Sequence, residues 1–87
     1  MNQQRSIPSL AIVIPCYNEQ EVLPETSQRL IELLQSYISD TLITADSYVL
    51  LVDDGSKDTT WQQIQELCQS NSYFKGLKLS RNFGHQN

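Results

Sequence analysis

Ligands for zinc are scarce in this chain. Its 87 residues include one histidine, His85, and two cysteines, Cys16 and Cys68, which lie too far apart for metal-ligand spacing. Neither G-x-G-x-x-G nor G-x-x-x-x-G-K-[ST] occurs, which excludes the usual dinucleotide and P-loop sites. No apolar run approaches the length of a membrane span. Met1 to Ser9 is polar and lacks the apolar centre of a signal peptide. There is no internal repeat and no low-complexity segment. Without a disulfide framework both cysteines read as reduced thiols, which points to a cytoplasmic setting. The formal net charge of -4 argues against a nucleic-acid partner, since those favour basic surfaces. A chain of this length makes one small domain with a marginal core.

What is present is organised around one stretch, Leu50-Leu51-Val52-Asp53-Asp54-Gly55-Ser56-Lys57-Asp58-Thr59-Thr60. Apolar Tyr48 to Val52 reads as a strand buried on both faces, which suits a parallel sheet. Gly55 permits the reversal after it. Asp58, Thr59 and Thr60 can each cap the helix that follows. Asp53 and Asp54 therefore sit at the carboxyl end of a parallel strand, beside a helix amino terminus, where ligands of open α/β sheets bind.

An earlier apolar run, Leu10 to Ile14, predicts a second such strand, ended by Pro15. Cys16-Tyr17-Asn18-Glu19 then forms a loop. Asn18 and Glu21 have capping-box spacing, while Pro24 fits a first helical turn. A short turn from Glu19 leading to a helix from Pro24 satisfies both signals. Leu23, Leu30, Leu34, Tyr37 and Ile38 mark the inner face of that helix, with Gln28, Arg29, Glu32 and Gln35 opposite. Ser39 to Ser47 reads as a loop. A second helix carries Trp61, Ile64, Leu67 and Cys68 inward, and Gln62, Gln63, Gln65 and Glu66 toward water. Phe74, Leu77 and Leu79 belong to a third strand interrupted by Gly76. Lys75 and Lys78 suggest that this strand is a sheet edge. The order is β-α-β-α-β, and right-handed crossovers place the parallel strands as 3-2-1.

That order makes the first two strand-end loops neighbours and joins Tyr17, Asn18 and Glu19 to Asp53 and Asp54. Two consecutive carboxylates repel, so a turn-forming role explains one better than two. A nucleoside, whose base N–H or ribose hydroxyls need acceptors, explains the pair. Asn18 suits helix capping better than ligand contact, and Glu19 suits either. Tyr17 is a packed loop aromatic or a stacking surface for a base. Ser56, Asp58 and Thr59 read as turn and cap residues. Arg81 is a surface cation or a phosphate ligand, and His85 a loop histidine.

Three segments together carry a resemblance. Ile12-Val13-Ile14-Pro15-Cys16-Tyr17-Asn18-Glu19, Val52 to Thr60, and Leu79-Ser80-Arg81-Asn82-Phe83-Gly84-His85-Gln86-Asn87 resemble the opening of family 2 glycosyltransferases with the GT-A fold. The third segment is similar to the polyprenyl-phosphate branch, that of dolichyl-phosphate mannose synthases and undecaprenyl-phosphate sugar transferases. The resemblance implies the Rossmann-like nucleotide-binding half of a GT-A domain, with residues 1–87 as a single partial domain. It implies a UDP- or GDP-linked sugar donor, bound by Pro15, Tyr17, Asn18, Glu19, Asp53, Asp54 and Ser56, with Arg81 approaching phosphate. The sugar would pass to a lipid phosphate at the cytoplasmic face of a membrane.

The family's metal-binding D-x-D motif and its acceptor-side catalytic residues do not occur in this segment. The resemblance therefore implies an amino-terminal piece of a longer enzyme, which would need a divalent cation such as Mg or Mn. The piece alone is expected to be inactive, because without D-x-D the divalent ion lacks its main protein ligand and the diphosphate leaving group loses that charge neutralisation. The bare edge of the Leu10–Ile14 strand is expected to promote self-association. The rival readings are a non-catalytic nucleotide-binding or assembly module and a receiver-like signalling domain. In receivers, however, the acid pair follows the first strand rather than the second.

Overall fold

The computed structural model describes residues 6–79. Five elements alternate: β1 (Ala11–Cys16), α1 (Leu23–Ser39), β2 (Tyr48–Asp53), α2 (Thr60–Ser70) and β3 (Phe74–Lys78). The three strands form one parallel sheet in the order β1-β2-β3, the predicted 3-2-1 arrangement read from the other edge. Ile14 lies opposite Leu51 and Cys16 opposite Asp53, while Lys78 lies opposite Asp53 on the far side. The two strand ends of interest are thus level with each other.

The core lies on one face of the sheet. Cys16, Val49, Leu51 and Phe74 meet Leu23 and Leu34 of α1 and Ile64 of α2, all of them buried. Leu30, Ile31, Tyr37 and Ile38 complete the α1 contribution, and Trp61, Leu67 and Cys68 that of α2. Gly76 matters at this contact, because a Cβ there would stand 2.7 Å from the Ile64 Cγ2 methyl. The glycine in β3 is a seat for α2 rather than an interruption of the strand.

The opposite face carries no layer among the described residues. Val13 is 60% exposed and Leu77 47%, and Leu50 and Val52 are only half-buried. The prediction of strands buried on both faces is therefore corrected. The continuous apolar runs are real, but both helices cover the same side.

β1 also runs two residues further than predicted. Pro15 sits inside it, opposite Val52. Leu10 and Cys16 turn their carbonyls to β2, where they accept the Tyr48 and Asp54 N–H groups at 2.9 Å. Residues of that parity face β2, so Pro15 faces away, where no ladder donor is needed.

Helix α1 begins later than a cap at Asn18 would require. Val22 is its N-cap and Pro24 lies in its first turn. The Glu19 carbonyl accepts the Val22 and Leu23 N–H groups at 3.1 and 2.9 Å, which forms the short preceding turn. At its other end, the Leu42 N–H reaches the Tyr37 carbonyl at 2.9 Å and the Thr41 N–H reaches Ile38 at 3.0 Å. This is a Schellman closure with Thr41, at φ 61°, in the left-handed position usually held by glycine. On β3, the lysines lie over rings: the Lys75 Nζ is 4.4 Å from the Tyr48 centroid, and that of Lys78 is 5.8 Å from Trp61.

Candidate functional site

The loops after β1 and β2 meet through a ladder of main-chain to side-chain bonds. The Asn18 N–H donates to Ser56 Oγ at 2.8 Å, and Asn18 Oδ1 accepts the Lys57 N–H at 2.8 Å. The Glu19 N–H donates to Thr60 Oγ1 at 2.8 Å. The Gln20 N–H donates to Asp58 Oδ2 at 3.3 Å. Gln20 Oε1 accepts both the Thr59 N–H, at 3.0 Å, and the Thr59 hydroxyl, at 2.7 Å. The Gln63 side-chain amide donates to the Gln20 carbonyl at 3.1 Å. Below them, the Asp54 N–H continues the sheet by donating to the Cys16 carbonyl. The two reversals form one polar joint.

Asn18 is not a helix cap. It stands at φ 52°, a left-handed conformation that asparagine tolerates, and from there it bonds the opposite loop. Gly55 supplies the matching turn at φ 83°. Asp58 accepts the Thr60 N–H at 2.8 Å and the Thr60 hydroxyl at 2.5 Å, so it shapes its own turn as well as meeting Gln20. Burial opposes ionisation of Asp58, but the bonds from Thr60 and Gln20 outweigh it and hold the carboxyl below its ordinary range. Thr60 is fully buried, with its hydroxyl accepting from Glu19 and donating to Asp58. Gln63, expected to face water, is half-buried at the same joint.

The acid pair divides. Asp53 is 0% exposed and lies on the helix-covered side with Cys16; the Ser56 N–H stands 3.4 Å from each of its carboxylate oxygens. Its carbonyl accepts the Leu79 N–H at 2.9 Å. Asp54 follows with the opposite parity and is half-buried. Tyr17, 49% exposed, follows Cys16 as Asp54 follows Asp53, so the two stand level just past adjacent strand ends. Cys16 forms the buried floor. Burial, reinforced by the negative charges of Glu19 and Asp53, pushes its thiol up.

Among the described residues no group of three or more His, Cys, Asp or Glu side chains could hold a metal ion. Arg81, His85 and the rest of the third sequence segment after Leu79 lie outside the described residues. No helix among the described residues is long and apolar enough to cross a membrane.

The model for glycosyl transferase family 2 aligns with residues 11–87. The chain belongs to glycosyl transferase family 2. Its curated relatives include an uncharacterized glycosyltransferase, YkoT, of Bacillus subtilis, 49% identical over 95% of this chain. Another, sll0501 of Synechocystis, is 42% identical over 88%. The undecaprenyl-phosphate 4-deoxy-4-formamido-L-arabinose transferase of an Enterobacter is 34% identical over the whole chain. The chain spans about a quarter of the length of these relatives: 25%, 22% and 25% respectively. In family 2 terms, residues 6–79 form a three-stranded part of a Rossmann-like GT-A sheet.

Sequence reasoning brought the two loops together but read Thr60 only as a cap and did not single out Gln20.

Proposed function

We propose that this chain is the donor-nucleotide part of a glycosyltransferase that moves a sugar from a UDP- or GDP-linked donor to a polyprenyl phosphate. The observation that carries the reading is the bonded joint between the two strand-end loops, which makes a single wall from Pro15 to Glu19 and from Asp53 to Ser56. The Tyr17 ring supplies a stacking surface for the base. Asp54 is the acid that a base N–H or ribose hydroxyl meets first. Asp53, enclosed behind it, holds the Ser56 N–H and so braces the turn. Glu19 borders the ribose, and Asn18 and Ser56 keep the two halves of the wall in register. Arg81 is assigned to the diphosphate. The lipid-phosphate acceptor is suggested by the relative named as an undecaprenyl-phosphate transferase. With such an acceptor, we assign the reaction to the cytoplasmic face of a membrane.

Among the described residues no group of three or more His, Cys, Asp or Glu side chains stands together to hold a divalent cation. A metal would be held by residues beyond these. What the present residues do is bind and orient the nucleoside. Transfer by the 87-residue chain alone is therefore not expected. The open edge of β1, with Ala11 and Val13 facing outward, is the seat we assign to self-association of the isolated chain.

Titration of UDP and GDP into the protein, by calorimetry, tests the reading. One of the two should bind, and Asp54→Asn should weaken it by about 10- to 100-fold, the effect of removing a charge-assisted bond. If neither nucleotide binds, or if Asp54→Asn and Tyr17→Ala both leave affinity unchanged, the donor site lies elsewhere.

A further inference from the structure

Gln20 is the most heavily used polar residue of the joint. Its side-chain oxygen takes two donors from Thr59, its N–H meets Asp58 and its carbonyl meets Gln63. These partners are the N-cap of α2, the residue before it and a residue one turn inside it. Thr59 makes no cap bond to its own helix; its hydroxyl turns to Gln20 instead. A helix end that ordinarily satisfies itself is thereby fastened to the other loop. Gln20 stands three residues past Tyr17, and Thr59 five past Asp54, so this link ties the two loops together just beyond the residues that make the wall.

We propose that Gln20 is a positioning residue, which fixes the register of the Tyr17 and Asp54 loops and so sets nucleotide affinity without touching the nucleotide. This rests on the donor-site reading above. A nucleoside that spans both loops gains from each only when they stand at the right separation. A slack joint lets either loop bind alone, at the expense of ordering the other on arrival.

The experiment compares wild type with Gln20→Met, Gln20→Glu, Thr59→Val and the Gln20→Met/Thr59→Val double variant, each expressed at its natural length. Affinities for UDP and GDP are read by calorimetry and folding by thermal midpoint. Methionine matches the length of glutamine without an acceptor and should weaken nucleotide binding about tenfold, as expected for two lost bonds. Glutamate keeps an acceptor for both Thr59 donors beside a helix amino terminus, and should stay within about twofold of wild type. Thr59→Val removes one of the two bonds and should weaken binding by roughly threefold. The double variant should be no worse than Gln20→Met, since both remove the same link. If Gln20→Met lowers the thermal midpoint but leaves affinity at the wild-type value, Gln20 is structural only and the inference fails. Should that variant not fold, Thr59→Val decides by the same criterion. If wild type itself binds neither nucleotide, the donor-site reading fails and takes this inference with it.

Discussion

Gly76→Ala tests the packing that places α2, and through it the second loop. The added methyl would lie 2.7 Å from Ile64 Cγ2, 3.3 Å from Cys68 Sγ and 3.6 Å from the Trp61 ring. Ile64 is fully enclosed, so its methyl cannot swing into solvent. Gly76 does not occupy the left-handed region, which makes the effect steric rather than conformational. Overpacking of a tight core costs about 1–3 kcal/mol. Against this, alanine narrows the unfolded ensemble and returns about 0.4–1 kcal/mol. The net destabilisation should be about 1–2 kcal/mol. At roughly 4–8 °C per kcal/mol for a domain of this size, the thermal midpoint should fall by about 4–16 °C. Circular dichroism of the purified chain would show it. Ile64→Leu shifts the branch from Cβ to Cγ and removes the clashing methyl. Placed in the Gly76→Ala background, it should restore at least about half of the loss, and so couple to Gly76 by more than the ~0.5 kcal/mol seen for independent sites. A Gly76→Ala protein as stable as wild type, or strict additivity with Ile64→Leu, would refute the seat assigned to this glycine.

Four further outcomes follow from particular residues. Thr41→Gly should stabilise the chain by about 1 kcal/mol, because a β-branched residue now holds the left-handed position that closes α1; an unchanged urea midpoint would contradict this. Acid should loosen the joint through Asp58. Its carboxyl lies below the ordinary value when folded, so the stability it contributes is present above about pH 4 and is lost as pH falls through the folded value. Asp58→Asn should flatten that part of an acid-unfolding profile, and an unaltered profile would count against it. Cys16, its thiol raised by burial and by the charges of Glu19 and Asp53, should resist iodoacetamide at neutral pH in the native protein and react after unfolding, as read by mass spectrometry. Asn18→Gly keeps the left-handed turn but removes the bond to Lys57, and should lower stability less than Asn18→Val, which loses both; equal losses would show that the conformation does not matter.

The sheet was legible because its strands are short apolar runs with abrupt polar ends. The inner face of α1 was legible because Leu23, Leu30, Leu34, Tyr37 and Ile38 keep a helical period. What escaped were features decided by partners distant in sequence. Pro15 looks like a terminator until one knows which side of β1 carries a neighbour. Asn18 looks like a cap because its alternative partner lies 39 residues on, at Lys57. The acid pair looked equivalent in sequence, and only the parity of the strand end encloses Asp53 while leaving Asp54 half-buried. Gln20 carries no local signal at all, since glutamine has no strong positional preference. Its role comes wholly from the loop it meets.

The outward-facing proline in β1 has a bearing on any strand laid beside it. Ala11 and Val13 can offer that newcomer amide hydrogens, but the last rung before Tyr17 cannot. Zippering from the amino end would run out of donors one step short of the loop. At that height an added strand would find only the Pro15 carbonyl, so its pairing beside the Tyr17 and Asp54 loops would be one bond weaker than along the rest of the edge.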